Sequence, residues 1–234
     1  MSKPLHYMFT TVPPRYDLVN RVTTWGLDAR WRRLAARECL SSHPFAVLDI
    51  GCGTGDLILT IAQQAEKDVE LSAIDYSQPM LDIAVKKAKR LGLERKVTFI
   101  HGDVTSLPFP DGSFDCVGIS FAFRNLTYKN PHGMRHFPEV LRVLKPGGKY
   151  VIVETSQPQS KIIRSLFHLY LRWFAYPAGY LISGNKGAYR YLAESAAHFY
   201  TADEIKGMLI TTGFRQVTYR PLLWGAAGIH VAVK

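Results

Sequence analysis

The fold of this chain is decided by residues 46–56, which read AVLDIGCGTGD. The apolar run at the start of the stretch stops at three glycines on alternate positions, Gly51, Gly53 and Gly55. A helical spacing of apolar residues begins directly afterwards at Leu57. This pattern predicts a strand, a tight turn and a helix. Glycines are required where the backbone turns sharply and approaches a ligand without a Cβ in the way.

The spacing of the glycines distinguishes two classes of ligand. A dinucleotide-binding fold uses G-x-G-x-x-G, which allows a pyrophosphate to sit at the helix N-terminus. Here the sixth position is Asp56, whose carboxylate would repel a pyrophosphate from the positive end of the helix. The glycines follow one acid, Asp49, and a second acid, Asp75, ends the next apolar run. This arrangement suits a nucleoside ligand without a phosphate, and S-adenosylmethionine (SAM) is such a ligand.

Length and composition predict one domain with a large core. The chain has 234 residues, of which 47% are hydrophobic. Its three cysteines have no CxxC spacing, which argues against a disulfide framework or a zinc site and favours a reducing compartment. Lys3, His6 and Arg15 interrupt the first residues, so no apolar signal segment opens the chain. We therefore expect a cytoplasmic protein that holds no metal.

The charge of the chain leaves several classes of partner open. The formal net charge is +10, which admits nucleic acid, an anionic membrane surface or acidic substrates as partners. The basic residues form two clusters, one within residues 30–37 and one within residues 161–190. Neither cluster has the glycine-flanked aromatic pattern of an RNA-binding sheet. A basic, soluble surface that serves no such partner stays equally open, and we expect no nucleic-acid partner.

Strands and helices alternate along the chain from residue 43 onward. Such alternation predicts a parallel sheet with helices on both faces, and ligands at the carboxyl ends of the strands. Thr201 is predicted to cap a helix that Gly213 ends. Residues 1–42 are expected to form an N-terminal helical cap on this single domain, 1–234. The predicted strands are 46–50, 69–75, 97–100, 115–121, 150–154, 217–219 and 229–233.

Residues 157–196 depart from this alternation and are expected to form an inserted helical lid. The part from 162 to 182 is rich in Leu, Phe, Tyr and Trp, but Arg164 and Arg172 interrupt it. Pro177-Ala178-Gly179 is expected to break the helix. A membrane span needs about 20 apolar residues with few charges, so we reject a span. A lid over an apolar ligand fits better, with peripheral contact with a bilayer as a second role.

Two sets of sequence blocks resemble known enzymes and together cover essentially the whole chain. The first set resembles the signature blocks of class I SAM-dependent methyltransferases: DIGCGTG at 49–55, LPFPD at 107–111, SFD at 113–115 and RVLKPGG at 142–148. The second set resembles the C-methyltransferases of ubiquinone and menaquinone biosynthesis: YDLVN at 16–20, GLDARWRR at 26–33, ISFAFRN at 119–125 and AYRYLAES at 188–195.

This resemblance implies a fold, a cofactor and a reaction. The fold is the Rossmann-like α/β fold of class I methyltransferases, with a doubly wound, mostly parallel, seven-stranded sheet, and the cofactor is SAM. The reaction is methylation of a ring carbon of a prenylated hydroquinone, demethylmenaquinol or a related quinol, and a homodimer is one oligomeric state left open. Two alternatives also stay open: methylation of another lipophilic small molecule, and a nucleic-acid or membrane-binding module that kept the fold and lost catalysis.

The cofactor site is expected at the carboxyl ends of the strands. Asp75 should accept hydrogen bonds from the two ribose hydroxyls, each worth roughly 1.5 to 3 kcal/mol. Asp103 should lie beside the adenine, with the Val104 amide nearby, while Thr54 and the glycine loop should hold the methionine part. The predicted cofactor residues are Asp49, Gly51, Gly53, Thr54, Gly55, Asp75, Tyr76, Asp103, Val104 and Ser120.

The implied chemistry calls for a cation beside a ring hydroxyl. The pKa of a hydroquinone hydroxyl is close to that of a phenol, about 10. Forming the phenolate at pH 7 therefore costs about 3 pK units, or roughly 4 kcal/mol. An adjacent cation recovers about 1 to 3 of those units. Arg124 is the natural candidate, because it lies just past the fourth strand. Asn125 is predicted to orient the hydroxyl or a water that carries the proton away, and Tyr16 to contact the same ring oxygen. A structural Arg124 paired with a carboxylate and a packing role for Tyr16 stay open.

Aromatic residues are expected to meet the substrate. We predict that Phe123, Tyr189 and Tyr191 line its site, with a packing role equally open for the two tyrosines. The apolar residues within 166–174 fit either an isoprenoid channel or a plain helix core.

Histidines supply two further candidates. His132 and His136 have the i, i+4 spacing of metal ligands, but no third ligand follows, so we expect a solvated helix face. His168, His198 and His230 could act as bases, and a structural role is the simpler interpretation of each.

Overall fold

The protein is built on one seven-stranded sheet. A computed structural model describes residues 13–234, apart from the side chains of Pro13, Pro14 and Tyr16. All seven predicted strands are confirmed, and the largest difference is in the fifth, which begins at Leu144 rather than Tyr150. The strands are β1 Ala46–Ile50, β2 Glu70–Asp75, β3 Val97–His101, β4 Phe114–Ser120, β5 Leu144–Thr155, β6 Gln216–Leu222 and β7 Ala227–Val233.

The sheet is mostly parallel and is wound in two directions from its centre. The strand order is β3-β2-β1-β4-β5-β7-β6, and β7 runs antiparallel to both of its neighbours, β5 and β6. All five residues of β1 are buried, as is typical of a parallel strand that is covered on both faces. The order reverses between β1 and β4, so a crevice opens at their carboxyl ends, which is where such sheets bind ligands. The predicted fold class is confirmed.

Helices cover both faces of the sheet. Side chains of β1 alternate between two cores: Val47 packs with α2, α3 and α4, whereas Leu48 and Ile50 pack with α6 and α10. A capping box between Thr201 and Glu204 begins α10, and Gly213 ends it, as the sequence predicted. The helices are α1 Pro13–Thr23, α2 Leu27–Leu40, α3 Asp56–Gln64, α4 Gln78–Arg90, α5 Phe123–Thr127, α6 His136–Val143, α7 Lys161–Tyr170, α8 Tyr176–Ser183, α9 Lys186–Ala197 and α10 Ala202–Thr212.

Helices α7, α8 and α9 follow β5 and occupy the segment expected to be a lid. The predicted break at Pro177-Ala178-Gly179 is wrong, because a π-helical turn, Leu171–Ala175, leads directly into α8 and the helical backbone continues to Ser183. Pro177 lies in the first turn of α8, where a missing N–H is tolerated. Gly179 is buried for packing: a Cβ there would lie 2.2 Å from a ring carbon of Tyr189. None of the helices within residues 13–234 is long and apolar enough to cross a bilayer.

Candidate functional site

The glycine turn forms the floor of a cavity at the carboxyl ends of β1, β2 and β4. Gly51, Gly53 and Gly55 have φ angles of 59°, 54° and 81°, a left-handed conformation that glycine adopts without steric cost. The turn is tied to the neighbouring strand, since the Cys52 amide donates to the carbonyl of Ile74 over 3.1 Å. The cavity holds about 290 Å³. The three glycines therefore form the tight turn between strand and helix that the sequence predicted.

Asp75, at the end of β2, is one of the charged groups that line this cavity. Its Oδ2 accepts a hydrogen bond from the Gly53 amide (2.8 Å) and its Oδ1 accepts one from the Ser77 amide (2.7 Å). Burial raises the pKa of Asp75, while these two amides and His101 oppose the shift. An ionised carboxylate has about four lone-pair sites, so capacity for two more donors remains.

Other predicted cofactor residues surround Asp75. Asp49 is buried, and its Oδ2 accepts from the Ile58 amide over 3.1 Å, while Oδ1 has no hydrogen-bond partner within the described residues. Burial raises the pKa of Asp49 well above its usual range. Gly55 does not line the cavity; it is the residue before α3, and a Cβ there would lie 3.0 Å from the Ala84 Cβ. Lining residues that the sequence predicted are Asp49, Gly51, Gly53, Thr54, Asp75, Tyr76, Asp103, Val104 and Ser120.

A polar network that was not predicted ties the N-terminal helix α1 to the glycine turn. Thr54 Oγ1 donates to Asp17 Oδ1 over 2.7 Å. The Lys87 ammonium lies 2.5 Å from Asp17 Oδ2, 2.6 Å from Asp56 Oδ1 and 2.9 Å from Thr54 Oγ1. Lys87 therefore balances two carboxylates beside the cavity. Asp17 belongs to the YDLVN block, which was the available signal, whereas nothing in the sequence distinguished Lys87 from other helical lysines.

A second cavity, of about 620 Å³, lies against α2, α7, α9 and the short turn Leu223–Gly225. Its walls are mostly apolar side chains, among them Trp31, Ile163 and Leu192. Polar groups include Asp28, Arg124 and Thr155, together with threonines of the turn before α2. Arg32 and Phe121 line both this apolar cavity and the cavity over the glycine turn, so the two are adjacent. We call the cavity over the glycine turn the cofactor cavity, because most of the predicted cofactor residues line it.

Arg124 faces the apolar cavity and is also paired. Its Nη1 donates to Thr155 Oγ1 over 2.7 Å and lies 3.6 Å from Oε1 of the buried Glu154. The Arg124 amide donates to Glu154 Oε2 over 3.0 Å. Both interpretations of Arg124 therefore describe part of its surroundings: it is a cation that lines a cavity, and a carboxylate offsets part of its charge.

The structure separates some residues that the sequence grouped with Arg124. Asn125 lines the cofactor cavity instead, and its Oδ1 has no hydrogen-bond partner within the described residues. Tyr189 lines the apolar cavity, whereas Tyr191 lines neither and packs near Tyr128. The side chain of Tyr16 lies outside the described part of the chain, so its predicted contact stays a prediction.

The prediction that Phe123 lines the substrate site is wrong. Phe123 is fully buried in the core, with its ring edge-on to His136, Phe137 and Phe199. Successive residues of a helix point about 100° apart, so when Arg124 faces the cavity its neighbour turns toward the sheet. A helix of five residues is too short for sequence periodicity to show which side chains face the core and which face a cavity.

The predicted solvated helix face at His132 and His136 is also wrong for His136. This ring is fully buried, with Nδ1 2.6 Å from the Gly133 carbonyl oxygen, and burial lowers its pKa to about 4. His132 lines the cofactor cavity. Within residues 13–234 no cluster of three or more His, Cys, Asp or Glu side chains could hold a metal ion. His230 is buried as well, and its pKa is lowered to about 4.

A buried ion pair between Asp28 and Arg32 escaped the sequence analysis. Arg32 Nη1 lies 2.6 Å from Asp28 Oδ2, and Arg32 Nε donates to Ser120 Oγ over 3.2 Å. The guanidinium also lies over the Phe121 ring, 5.3 Å from its centroid. The sequence placed Arg32 only in a basic cluster, although the GLDARWRR block marked both residues.

Comparison with known proteins agrees with this architecture. The chain matches the model of the ubiE/COQ5 methyltransferase family over residues 2–234. It is 43% identical to a demethylmenaquinone methyltransferase of Thermus thermophilus, with 96% of this chain and 98% of the relative covered. It is 35% identical to a ubiquinone/menaquinone biosynthesis C-methyltransferase of Geobacter sulfurreducens, with 97% and 87% covered.

Solved structures give the same fold. A SAM-dependent methyltransferase from Aquifex aeolicus superposes with a TM-score of 0.57 at 20% identity, with 81% of each chain covered. The glycine cradle, the strand-end carboxylate and the matches over the full chain lead to one conclusion. The chain is a SAM-dependent methyltransferase and belongs to the ubiE/COQ5 methyltransferase family.

Proposed function

We propose that this enzyme methylates a ring carbon of a prenylated hydroquinone, demethylmenaquinol or a related quinol. The observation that carries the proposal is the adjacency of two unlike cavities, one polar and one largely apolar, with Arg32 and Phe121 in the wall of both. A cofactor held in the first would face a lipophilic acceptor held in the second. The names of the Thermus and Geobacter relatives support the same substrate class.

The residues of the polar cavity fit SAM. Asp75 has lone pairs for two ribose hydroxyls, the left-handed glycines bring the backbone close to the ligand, and Asp49 and Asn125 each have an unpaired buried oxygen for its polar groups. Asp103 and Val104 would border the adenine. When bound, SAM supplies an electrophilic methyl group on a sulfonium.

The residues of the apolar cavity fit an amphipathic quinol. The prenyl tail would lie along apolar side chains such as Leu166 and Leu192, and the ring would lie against the polar groups near β5. Arg124 would stabilise the phenolate form of a ring hydroxyl, which makes the ring carbon nucleophilic. Thr155 and Glu154 fix the guanidinium, so that little reorganisation is needed when the charge develops. Helices α7 to α9 would act as a lid that keeps water out.

An Arg124 variant tests this role. Arg124→Gln keeps a hydrogen-bond donor but removes the charge, and loss of 1 to 3 pK units of stabilisation corresponds to roughly 10- to 1,000-fold slower transfer of methyl from labelled SAM to a prenylated naphthoquinol. SAM affinity by calorimetry should stay within about twofold, because Arg124 does not line the cofactor cavity. Arg90→Gln, at the exposed end of α4, is the matched control. Unchanged turnover in Arg124→Gln would refute the role.

Contact with a membrane surface forms part of the proposal. Trp25, Trp173 and Trp224 are 74%, 70% and 77% exposed, and Trp25 and Trp224 border the mouth of the apolar cavity. Trp25, Leu223 and Trp224 also hold left-handed backbone with φ of 54°, 44° and 52°, which is costly for such residues. Two strained turns that display tryptophan beside a cavity suit insertion among lipids.

Charge complements this apolar rim. Residues 161–197 carry five Lys or Arg residues and one Glu, and Arg172 lies over the Trp173 ring. Anionic headgroups would attract such a surface. The prenylated acceptor would then reach the cavity from the bilayer.

Vesicle sedimentation tests the contact. The protein should bind phosphatidylglycerol vesicles and bind phosphatidylcholine vesicles at least tenfold less, with a loss of affinity as salt rises. The double variant Trp173→Ser, Trp224→Ser should weaken binding at least tenfold. Phe45→Ser is the control, since Phe45 is equally exposed (74%) but lies at the amino end of β1, away from the cavity mouth. Equal loss in the control, or no loss in the double variant, would contradict the contact.

Two further predictions concern partners of the protein. A homodimer stays a prediction that sedimentation velocity measures. The absence of a nucleic-acid partner stays a prediction as well, and salt-dependent binding to RNA in a gel-shift experiment would contradict it.

A further inference from the structure

The apolar cavity contains a carboxylate that the reaction described above leaves unused. Asp28 lies in the first turn of α2, is 4% exposed and lines the cavity. Two left-handed residues, Trp25 and Gly26 (φ 54° and 74°), precede it and set its position. A charged group is rare in an apolar cavity unless it is paired or functional.

Asp28 is only partly satisfied by its neighbours. Its Oδ2 is paired with Arg32 at 2.6 Å. Its Oδ1 faces the Thr24 hydroxyl at 2.9 Å, but the same hydroxyl lies 2.7 Å from the Asn20 carbonyl oxygen. A hydroxyl has one proton, so Thr24 cannot donate to both acceptors at once. Oδ1 therefore keeps lone pairs for a donor that enters the cavity.

Three charged side chains of the described residues line the apolar cavity, and Arg32 is the one paired with Asp28. Arg124, beside Thr155, has the opposite hydrogen-bonding character to Asp28. Arg124 can only donate, because a guanidinium has no acceptor atom. The described cavity thus offers a donor at Arg124 and an acceptor at Asp28. A hydroquinone has two O–H groups, and one can accept from Arg124 while the other donates to Asp28. An oxidised quinone has two carbonyl oxygens and nothing to donate.

We propose that Asp28 accepts a hydrogen bond from the second ring hydroxyl and thereby selects the reduced ring over the oxidised quinone. The inference rests on the proposed function, because it assigns a specificity role within the same substrate cavity. A carbonyl oxygen placed against the Asp28 carboxylate would repel it and leave a buried acceptor unpaired. Arg32 positions the carboxylate and does not itself need to contact the ring.

The test is the binding of one ring in two redox states. Affinities of a singly prenylated 1,4-naphthoquinone and of its dithionite-reduced form are measured without oxygen, for the wild-type chain and for Asp28→Asn. The wild-type chain should bind the reduced form at least tenfold more tightly. The amide of Asp28→Asn can donate to a carbonyl, so the preference should fall at least tenfold. Asp115→Asn, which removes the partner of Lys145 at the amino end of β4, should keep it.

The outcomes separate the two claims. If the wild-type chain binds neither form, the proposed function fails; if it prefers the reduced form and Asp28→Asn keeps that preference, the selection by Asp28 is overturned. SAM affinity and circular dichroism verify that the variant is folded. If it is not, the two mono-O-methyl ethers of the quinol decide on the wild-type chain. An ether oxygen can accept from Arg124 but cannot donate to Asp28, so the two affinities should differ at least tenfold, and equal affinities would overturn the proposal.

Discussion

The two cavities of this enzyme are built in opposite ways. The cofactor cavity is assembled from turns at strand ends, and its carboxylates Asp49, Asp75 and Asp103 each accept a hydrogen bond from a backbone amide. The apolar cavity is assembled from helices that are far apart in the sequence, and its rim exposes tryptophans on left-handed backbone. In this enzyme, polar side chains are positioned by the short-range spacing of the sequence, whereas the apolar cavity depends on how helices distant in the sequence pack together.

The largest expected effect concerns the cofactor cavity. Asp75→Ala removes the acceptor for two hydroxyls, and a loss of roughly 3 kcal/mol or more corresponds to at least about 100-fold weaker SAM binding by calorimetry. Asp82→Ala, on the exposed face of α4, is the control and should bind SAM normally. Normal SAM affinity in Asp75→Ala would contradict the assignment of Asp75 to the ribose hydroxyls.

Acid should destabilise the protein through its buried histidines. The folded-state pKa of His136 and that of His230 are lowered to about 4 from 6.5, so between these values the unfolded chain binds protons that the folded chain does not. Stability therefore falls as pH decreases from 6.5 to 4, by about 1.4 kcal/mol per pH unit for each histidine. In His136→Leu, the free energy of unfolding, measured with denaturant, should depend less steeply on pH in this window. The slope should fall by about 1.4 kcal/mol per pH unit, the contribution of one histidine. An unchanged slope would mean that the ring is protonated when folded.

Packing should dominate in the lid. Gly179→Ala places a Cβ 2.2 Å from the Tyr189 ring and should lower the free energy of unfolding by about 1 to 3 kcal/mol. Gly187→Ala in α9 is the matched control, since its nearest neighbour would lie at an ordinary 3.7 Å and alanine favours helix by about 0.5 to 1 kcal/mol. Equal effects of the two variants in thermal unfolding would show that the lid is not tightly packed at Gly179.

The smallest effect concerns the link between α1 and the glycine turn. Lys87→Met leaves Asp17 and Asp56 without their shared cation, and the resulting repulsion beside the cradle should weaken SAM binding by about 3- to 10-fold. The loss should shrink when Asp17→Asn is added. A double variant that binds no better than Lys87→Met would show that the network acts only on folding.

The sequence predicted what depends on local chemistry. The glycine spacing, the strand-end Asp75 and the capping residue Thr201 each have a short-range physical reason, and the corresponding elements are confirmed. Contacts between residues that are distant in the sequence could not be predicted in this way. Phe123, Arg124 and Asn125 are consecutive, yet one enters the core and the other two face different cavities. Burial of Arg32 and His136 depends in the same way on partners distant in the sequence or on the opposite face of a short helix.

Methylation of a ring carbon of a prenylated quinol can be measured directly. Labelled SAM is incubated with reduced naphthoquinols and benzoquinols, with and without prenyl tails, and the products are located by mass spectrometry. We expect one methyl group on a ring carbon of a prenylated quinol. Transfer to the tail-less rings should be slower, because they leave the apolar cavity unfilled. Methyl on oxygen, or no transfer to any quinol by a chain that binds SAM, would contradict it.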